Sequence, residues 1–401
     1  MCIGGGITGV LTARELASAG WSVTILEARH VGAGSSSRTA AGIRQQFSTP
    51  ETVIGMRYAV RFYRAFRDEV EDGTSPIVQN GYLFLYDDPA RWAAAQQTVE
   101  MQRGCGLTEV EALGRPDLQA RFPWVDRETV VGGTFCPTDG FLLPHLVYNE
   151  GARRVRALGG TIVQGAEVTG TVADGPRIGA VVTTKGTFEA DLFVDCTNAW
   201  TRRTAAALDA EVLPVDPLKR YLWFLARDGS LDEDTLARMP LCVAPGGAYC
   251  RPENRATLLV GKSHAAAPEP AFSYDDQDRI DGDHAHNGGV DAAPFGAWAE
   301  LAAAIPPLGE FAGFSATTSG YYGTTPDHNP YFGYDRQRPN LIRLVGFSGH
   351  GAMFGPFTAR VAGALAEAGR DVATVEVDGH QVALDAFRIG RTFVHAEQMV
   401  I

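Results

Sequence analysis

Close to its start the chain carries Gly4-Gly5-Gly6-Ile7-Thr8-Gly9, and Glu27 follows at the end of an apolar run. Glycines at this density let a turn approach a ligand closely, and the N–H groups that open the next helix meet a pyrophosphate at the positive end of its dipole. A carboxylate at the carboxyl end of the following strand, where Glu27 falls, accepts hydrogen bonds from ribose hydroxyls. The same acid repels a 2′-phosphate, so the chemistry indicated is the binding of a dinucleotide without one. A second run, Val31 to Phe47, concentrates small and hydroxyl residues, among them Gly34, Ser35, Ser36, Ala41 and Gly42, which let backbone pass near a ligand and donate to it.

The elements that must carry these groups follow from the pattern. Val10, Leu11, Ala13, Leu16 and Ala17 make an apolar helical face stopped by Gly20, and Val23-Thr24-Ile25-Leu26 reads as a buried parallel strand. Only Met1-Cys2-Ile3 precede the glycines, so a shortened first strand or a missing N-terminal stretch is expected. Thr49-Pro50-Glu51 begins a long helix expected to reach Gly73, Gly81 to Tyr86 is a strand, and Ala90 to Arg103 and Pro144 to Ala157 are helices. Strands follow at 159–163 and 167–169, with a hairpin over 181–190 that turns at Lys185-Gly186. The buried strand Leu192 to Cys196 then places Thr197 and Asn198, ahead of Trp200, where ligands of an α/β sheet bind. Residues 214–314 are strand-rich, and after the strand Asn340 to Val345 a second glycine turn, Gly346-Phe347-Ser348-Gly349-His350-Gly351, opens another helix.

Composition bounds the rest. The 401 residues, 45% hydrophobic and 20% charged, suffice for two or three domains, and a net charge of −12 argues against a nucleic-acid backbone or an anionic membrane as partner. It suits a cytoplasmic protein. Six scattered cysteines without a CxxC pair indicate neither a zinc site nor a disulfide framework, and they read as small buried hydrophobes. No basic n-region marks a signal peptide and no apolar run spans a membrane. Asp275 to Asn287 holds carboxylates and two histidines, but it fits no metal-loop template and reads as a solvated loop, so no metal is expected.

Taken together, these residues resemble the FAD-dependent amine and amino-acid oxidoreductases of the D-amino-acid oxidase, sarcosine oxidase and glycine oxidase group. The cradle, Thr325-Pro326-Asp327 after paired tyrosines, and the closing GFSGHG carry the resemblance nearly end to end. Gly42-Ile43-Arg44-Gln45-Gln46-Phe47, Gly81-Tyr82-Leu83-Phe84, Pro137-Thr138-Asp139-Gly140, Thr197-Asn198-Ala199-Trp200 and Gly320-Tyr321-Tyr322 are most similar to the β subunits of archaeal dye-linked L-proline dehydrogenases.

The resemblance implies an α/β fold: a Rossmann-like FAD-binding domain from residues 1–45, 145–205 and 320–401, with an interleaved mixed α+β cap domain from 46–144 and 206–319. It implies FAD held non-covalently. Gly4, Gly6, Ile7, Thr8 and Gly9 would face the pyrophosphate, Glu27 with Ala28 and Arg29 the adenosine ribose, and Val168 the adenine. Gly34, Ser35, Ser36, Ala41, Gly42, Ile43, Thr197, Asn198, Trp200 and Gly320 would add further cofactor contacts. Gly349, His350, Gly351, Ala352 and Met353 would lie along the flavin, where N–H groups and a helix dipole favour negative charge.

By the same resemblance Arg44 would hold a substrate carboxylate, since a guanidinium fork grips a carboxylate through two hydrogen bonds. Tyr249 and Tyr322 would reach over the flavin face, with Lys262 and His264 as further candidates. Gly320 stands where monomeric sarcosine oxidases carry the cysteine that binds flavin covalently. Met353 and Leu259 stand at lysine positions of those oxidases, Leu259 at that of the lysine credited with oxygen activation, which favours a dehydrogenase unless Lys262 substitutes. The implied function is oxidation of the C–N bond of a small amino acid or secondary amine, proline- or sarcosine-like, with electrons passed to a partner subunit or carrier. A hydrogen-peroxide-forming oxidase and an FAD-binding subunit that only relays electrons are the alternatives.

Overall fold

In the computed structural model, which describes residues 1–70, 74–228, 231–263, 276–392 and 396–399, the glycine turn leaves a two-residue strand at the centre of a six-stranded sheet. Cys2–Ile3 pairs in parallel with Phe193–Asp195 on one side and with Thr24–Glu27 on the other. Thr161–Gln164 extends the sheet in parallel beyond Thr24–Glu27, and Leu341–Val345 does so beyond Phe193–Asp195. Tyr331–Tyr334 closes that edge antiparallel. The central strand can be so short because Gly4 N–H continues the pairing to the Leu26 carbonyl at 2.8 Å. The helix Ile7–Ser18 buries Ile7, Val10, Leu11, Ala13 and Leu16 and packs against the helices Pro144–Ala157 and Gly351–Ala368. Its apolar side therefore faces both helices and sheet, as its spacing requires.

A second sheet has eight strands in the order Gly313–Thr324, Asp216–Ala226, Thr257–Lys262, Ala248–Asn254, Leu241–Val243, Tyr82–Tyr86, Gly132–Cys136 and Glu111–Gly114. Only the pairing of Leu241–Val243 with Tyr82–Tyr86 is parallel among them. Alternation along Asp216–Ala226 divides its side chains. Tyr221, Trp223 and Leu225 pack in a core with Ala297 and Leu301 of the helix Ala293–Ala304, whereas Leu222 packs with Tyr82, Leu241, Tyr249 and Leu259 on the opposite face. That opposite face looks toward the glycine turns. Three short strands, Gly42–Ile43, Gly140–Leu142 and Ile77–Val78, join residues 42–43 to this region, and a three-stranded meander spans Val168–Asp174, Arg177–Thr183 and Gly186–Glu189.

Three local expectations are refined. The helix from Pro50 ends at Arg64 and resumes only over Phe66–Glu69; Gly73 lies outside the described residues. Apolar periodicity runs across the break because Phe62 and Tyr63 before it and Phe66 and Val70 after it are all buried. Thr49 stands at the N-cap as its sequence suggests, but its hydroxyl bonds to the Thr52 hydroxyl at 2.8 Å and not to a helical N–H. The acidic stretch from Asp275, itself outside the described residues, keeps Asp278, Asp281 and Asp283 exposed to solvent as expected but is also pinned to the second sheet. Lys219 Nζ donates to the Asp276 and Arg279 carbonyls, the Ser319 hydroxyl donates to the Gln277 carbonyl, and Gln277 is buried. Those partners come from strands about 60 and 40 residues away, and no local pattern announces them. Among the described residues no three potential metal ligands cluster, and no helix is long and apolar enough to cross a membrane.

Candidate functional site

The two glycine turns open onto one cleft of about 1520 Å³, continuous with solvent. At its centre Gly4 has φ +102°, and a Cβ on Gly9 would lie 1.9 Å from the Gly4 carbonyl oxygen. Gly9 therefore lets the helix approach the strand, and it does not line the cleft. Gly4, Gly6, Ile7 and Thr8 do. Ser36 folds over this turn, its hydroxyl accepting from Ile7 N–H at 3.0 Å. At one end Glu27 lines the cleft with Ala28, Arg29 and Val168. Its carboxylate accepts from Gly5 N–H at 2.7 Å and Arg29 N–H at 2.8 Å, which fixes its position at the strand end.

Gly34, Ser35, Thr197, Asn198 and Trp200 form the middle of the wall. Asn198 takes φ +48°, and its side-chain oxygen accepts from Gly346 N–H at 3.0 Å and Phe347 N–H at 3.2 Å. This amide ties the segment after Phe193–Asp195 to the second glycine turn, so the two strand ends are held in register at the cleft. Beneath them, Asp195 accepts from the Thr197 and Thr201 hydroxyls at 2.6 and 2.7 Å. At the far end stand Tyr321, Tyr322, Phe347, Gly349, Gly351 and Ala352, with the helix Gly351–Ala368 opening there.

Thr39, Tyr322, Gly349 and Ala352 also line a second, smaller pocket that is open to solvent, whose other walls include Ala41, Gly42, Arg44, Tyr82, Leu241, Tyr249, His350 and Met353. The chamber and the cleft thus share a wall. Arg44 is fully buried there, with its guanidinium 3.9 Å from the Phe47 ring centroid. Burial pulls its pKa below the usual arginine range, opposed by Tyr82, Glu397 and Asp139. His350 Nε2 lies 3.3 Å from Arg44 Nη2; burial first and Arg44 second hold its pKa well below the usual histidine range, so the imidazole is neutral. Burial also raises the pKa values of Tyr249 and Tyr322. The two phenols also act on one another, each within the other's electrostatic reach. Both phenols are neutral donors in the physiological range.

Arg44, Tyr249 and Tyr322, far apart in sequence, are therefore brought together. Ala41, Gly42, His350 and Met353 belong to this chamber and not to the longer cleft. Ile43 is buried in the main core and lines neither. Gly320 also lines neither; a Cβ there would meet Arg38 Cβ at 2.8 Å. Lys262 is paired with Glu300 at 2.8 Å, and His264 lies outside the described residues.

Sequence reasoning passed over several wall residues. Gln277, Arg203 and Thr204 line the cleft, and Tyr82 and Leu241 line the chamber; Tyr82 was legible only as part of a strand. Arg220 approaches the Tyr322 ring centroid to 5.6 Å, and burial lowers its pKa. Asp139 is fully buried, accepts from Gln45 N–H and Gln45 Nε2 at 2.9 Å each and from Gln46 Nε2 at 3.2 Å, and is pushed up to about 6 by burial. Only the PTDG run containing Asp139 gave any signal in the chain.

A cradle that Cβ atoms would fill, a carboxylate fixed at the end of Thr24–Glu27 and two helix N-termini facing one elongated cleft fit FAD. Comparison with known proteins agrees. The chain is 28% identical over 378 residues to FAD-dependent oxidoreductase domain-containing protein 1 of Xenopus laevis, covering 85% of this chain and 70% of that one. It is 28% identical over 266 residues to the mitochondrial dimethylglycine dehydrogenase of Homo sapiens, covering 65% and 30%. Its fold superposes on the L-proline dehydrogenase of P. horikoshii with a TM-score of 0.78 at 26% identity, covering 92% and 93% of the two chains. The model of the FAD dependent oxidoreductase (DAO) family matches residues 2–365, and the chain belongs to that FAD-dependent family.

Proposed function

We propose that the protein is a dehydrogenase that oxidises the C–N bond of a small amino acid or secondary amine, proline- or sarcosine-like, to an imine, and passes the electrons to a partner subunit or carrier. The observation that carries this reading is the buried Arg44 guanidinium in a chamber that shares Thr39, Tyr322, Gly349 and Ala352 with the dinucleotide cleft. When bound, FAD supplies the hydride acceptor for the carbon bearing the amine. The chain's own groups bind and orient. Gly4, Gly6, Ile7, Thr8 and Ser36 would hold the pyrophosphate, Glu27 the ribose, and the turn from Gly349 to Ala352 the flavin. Arg44 would grip the substrate carboxylate, and the neutral Tyr249–Tyr322 pair would donate to it or bound the amine side of the chamber. A neutral His350 adds no second positive charge beside Arg44. With no side chain at Gly320, FAD would be held without a covalent bond.

Leu259 packs among apolar side chains and Lys262 is committed to Glu300, which supports slow reaction with oxygen. Arg220 beside Tyr322 favours the second reading, a hydrogen-peroxide-forming oxidase, because a buried cation there could stabilise superoxide-like charge. One experiment separates these readings. The holoprotein is mixed anaerobically with L-proline, D-proline, hydroxyproline, sarcosine, dimethylglycine and glycine while flavin absorbance is followed, and air is then admitted. Bleaching by one member with slow recovery is expected; fast recovery that Arg220→Met slows would establish the oxidase, and no bleaching by any member would overturn the proposal.

A further inference from the structure

Arg44 is engaged by a segment 355 residues away in sequence. Its Nη1 donates to the Gln46 carbonyl, its Nη2 donates to the Met399 carbonyl, and its buried Nε has no partner. A carboxylate that binds a guanidinium side-on uses the Nε–H together with one Nη2–H. The Met399 carbonyl and His350 Nε2, the latter at 3.3 Å, both face Nη2, so a carboxylate bound at that nitrogen competes with the Met399 carbonyl.

The segment is anchored, not merely adjacent. Glu397 is buried, and its carboxylate accepts from Ser48 N–H at 2.9 Å, from the Ser48 hydroxyl at 2.6 Å, from the Thr49 hydroxyl at 3.3 Å and from Met399 N–H at 2.9 Å. Gln398 N–H donates to Ser48 Oγ at 2.9 Å, and Glu397 N–H donates to the Asp327 carbonyl at 3.0 Å. Gln102, which donates to the Phe47 carbonyl at 2.9 Å, approaches Met399 Sδ to 3.8 Å. Ser48 lies four residues from Arg44, so the latch and the guanidinium share one stretch of backbone.

We propose that residues 396–399 form a strap that occupies the carboxylate position at Arg44, so that a carboxylate ligand must exchange with the Met399 carbonyl to bind. The proposal rests on Arg44 being the carboxylate clamp of the proposed function. With the strap seated, the apparent affinity for a carboxylate is reduced by the fraction of molecules in which it is released. A ligand lacking a carboxylate does not compete for Arg44 and escapes this penalty, so the strap narrows the advantage of carboxylate ligands over simple amines.

The test is titration of the holoprotein with pyrrole-2-carboxylate, a carboxylate without an oxidisable C–N bond of the required kind, read by perturbation of the flavin absorbance. Glu397→Ala should tighten binding about tenfold and Ser48→Ala should tighten it less, while Arg44→Met abolishes it in the wild-type and Glu397→Ala backgrounds alike. In hydrogen exchange, saturating pyrrole-2-carboxylate should speed exchange of the Met399 amide. If neither Glu397→Ala nor Ser48→Ala tightens binding while Arg44→Met still weakens it, the strap is overturned and the clamp stands. If Arg44→Met leaves binding unchanged, or if no variant binds, both are overturned. Should Glu397→Ala fail to fold, Ser48→Ala and the exchange measurement decide.

Discussion

Arg343 Nε donates to Asp195 Oδ2 at 3.0 Å with both side chains shut off from solvent. Arg343 Nη1 reaches Asp335 at 2.8 Å and Nη2 reaches the Thr201 hydroxyl at 2.6 Å. One guanidinium thus satisfies two buried carboxylates beneath the ends of Phe193–Asp195 and Leu341–Val345, from which Thr197, Asn198 and the second glycine turn project. Removing it leaves those charges uncompensated in a dry interior. Arg343→Leu should destabilise the protein by about 3–5 kcal/mol, read as a lowered urea midpoint together with loss of bound FAD. A change below about 1 kcal/mol would mean that water or rearranged side chains replace the guanidinium.

Asp139 carries a pH signature. Its pKa is raised from the ordinary carboxylate value to about 6, chiefly by burial, so the folded state holds this proton at a pH where the unfolded chain has released it. Its contribution is present below pH 4 and is lost as pH rises to about 6, a change of order 3 kcal/mol at most. Asp139→Asn should flatten stability against pH between 4 and 6, as followed by denaturant midpoints. An unchanged slope would assign the titration elsewhere.

Protonating Asp139 also removes a negative charge that acts on Arg44. Affinity for pyrrole-2-carboxylate should therefore rise as pH falls through about 6. Asp139→Asn should abolish this limb, whereas His350→Gln should retain it, because His350 titrates well below its usual range. Binding titrations from pH 5 to 8 on the two variants decide between these groups.

Glu27 is held by two backbone N–H groups, Gly5 and Arg29, at the cleft end. Glu27→Ala would orphan both donors and remove the ribose acceptor. FAD should be released about 10- to 100-fold more readily, a loss of about 1–3 kcal/mol typical of hydrogen bonds to a charged group. Recovery of flavin fluorescence on dilution measures it, and equal retention by the variant would show that the carboxylate serves only the turn.

The tyrosine pair separates hydroxyl chemistry from packing. Since both phenols are neutral, Tyr249→Phe and Tyr322→Phe should leave the pH dependence of flavin bleaching between 7 and 9 unchanged while slowing bleaching by about tenfold. Loss of an alkaline limb in either variant would identify that tyrosine as a titrating base.

The chain by itself determined the dinucleotide turn, the acid that follows it, the second glycine turn and the strand-to-loop junction at Thr197 and Asn198. Each is a local requirement: a glycine at φ +102° at Gly4, an apolar spacing on Ile7–Ser18, or a strand followed at once by small polar residues. The resemblance carried by these motifs also marked Arg44, Tyr249 and Tyr322. Only the tertiary structure decided which polar groups are dry and what they face. Asp195 and Arg343 are 148 positions apart, Arg44 and Met399 are 355 apart, and Gln277 reaches the cleft from a stretch that reads as solvated. It also removed Gly9, Ile43 and Gly320 from the cavity walls. The physical reason is that burial and partnership of a charge depend on elements packed from distant parts of the chain, whereas turn geometry and periodicity are set by neighbours in sequence.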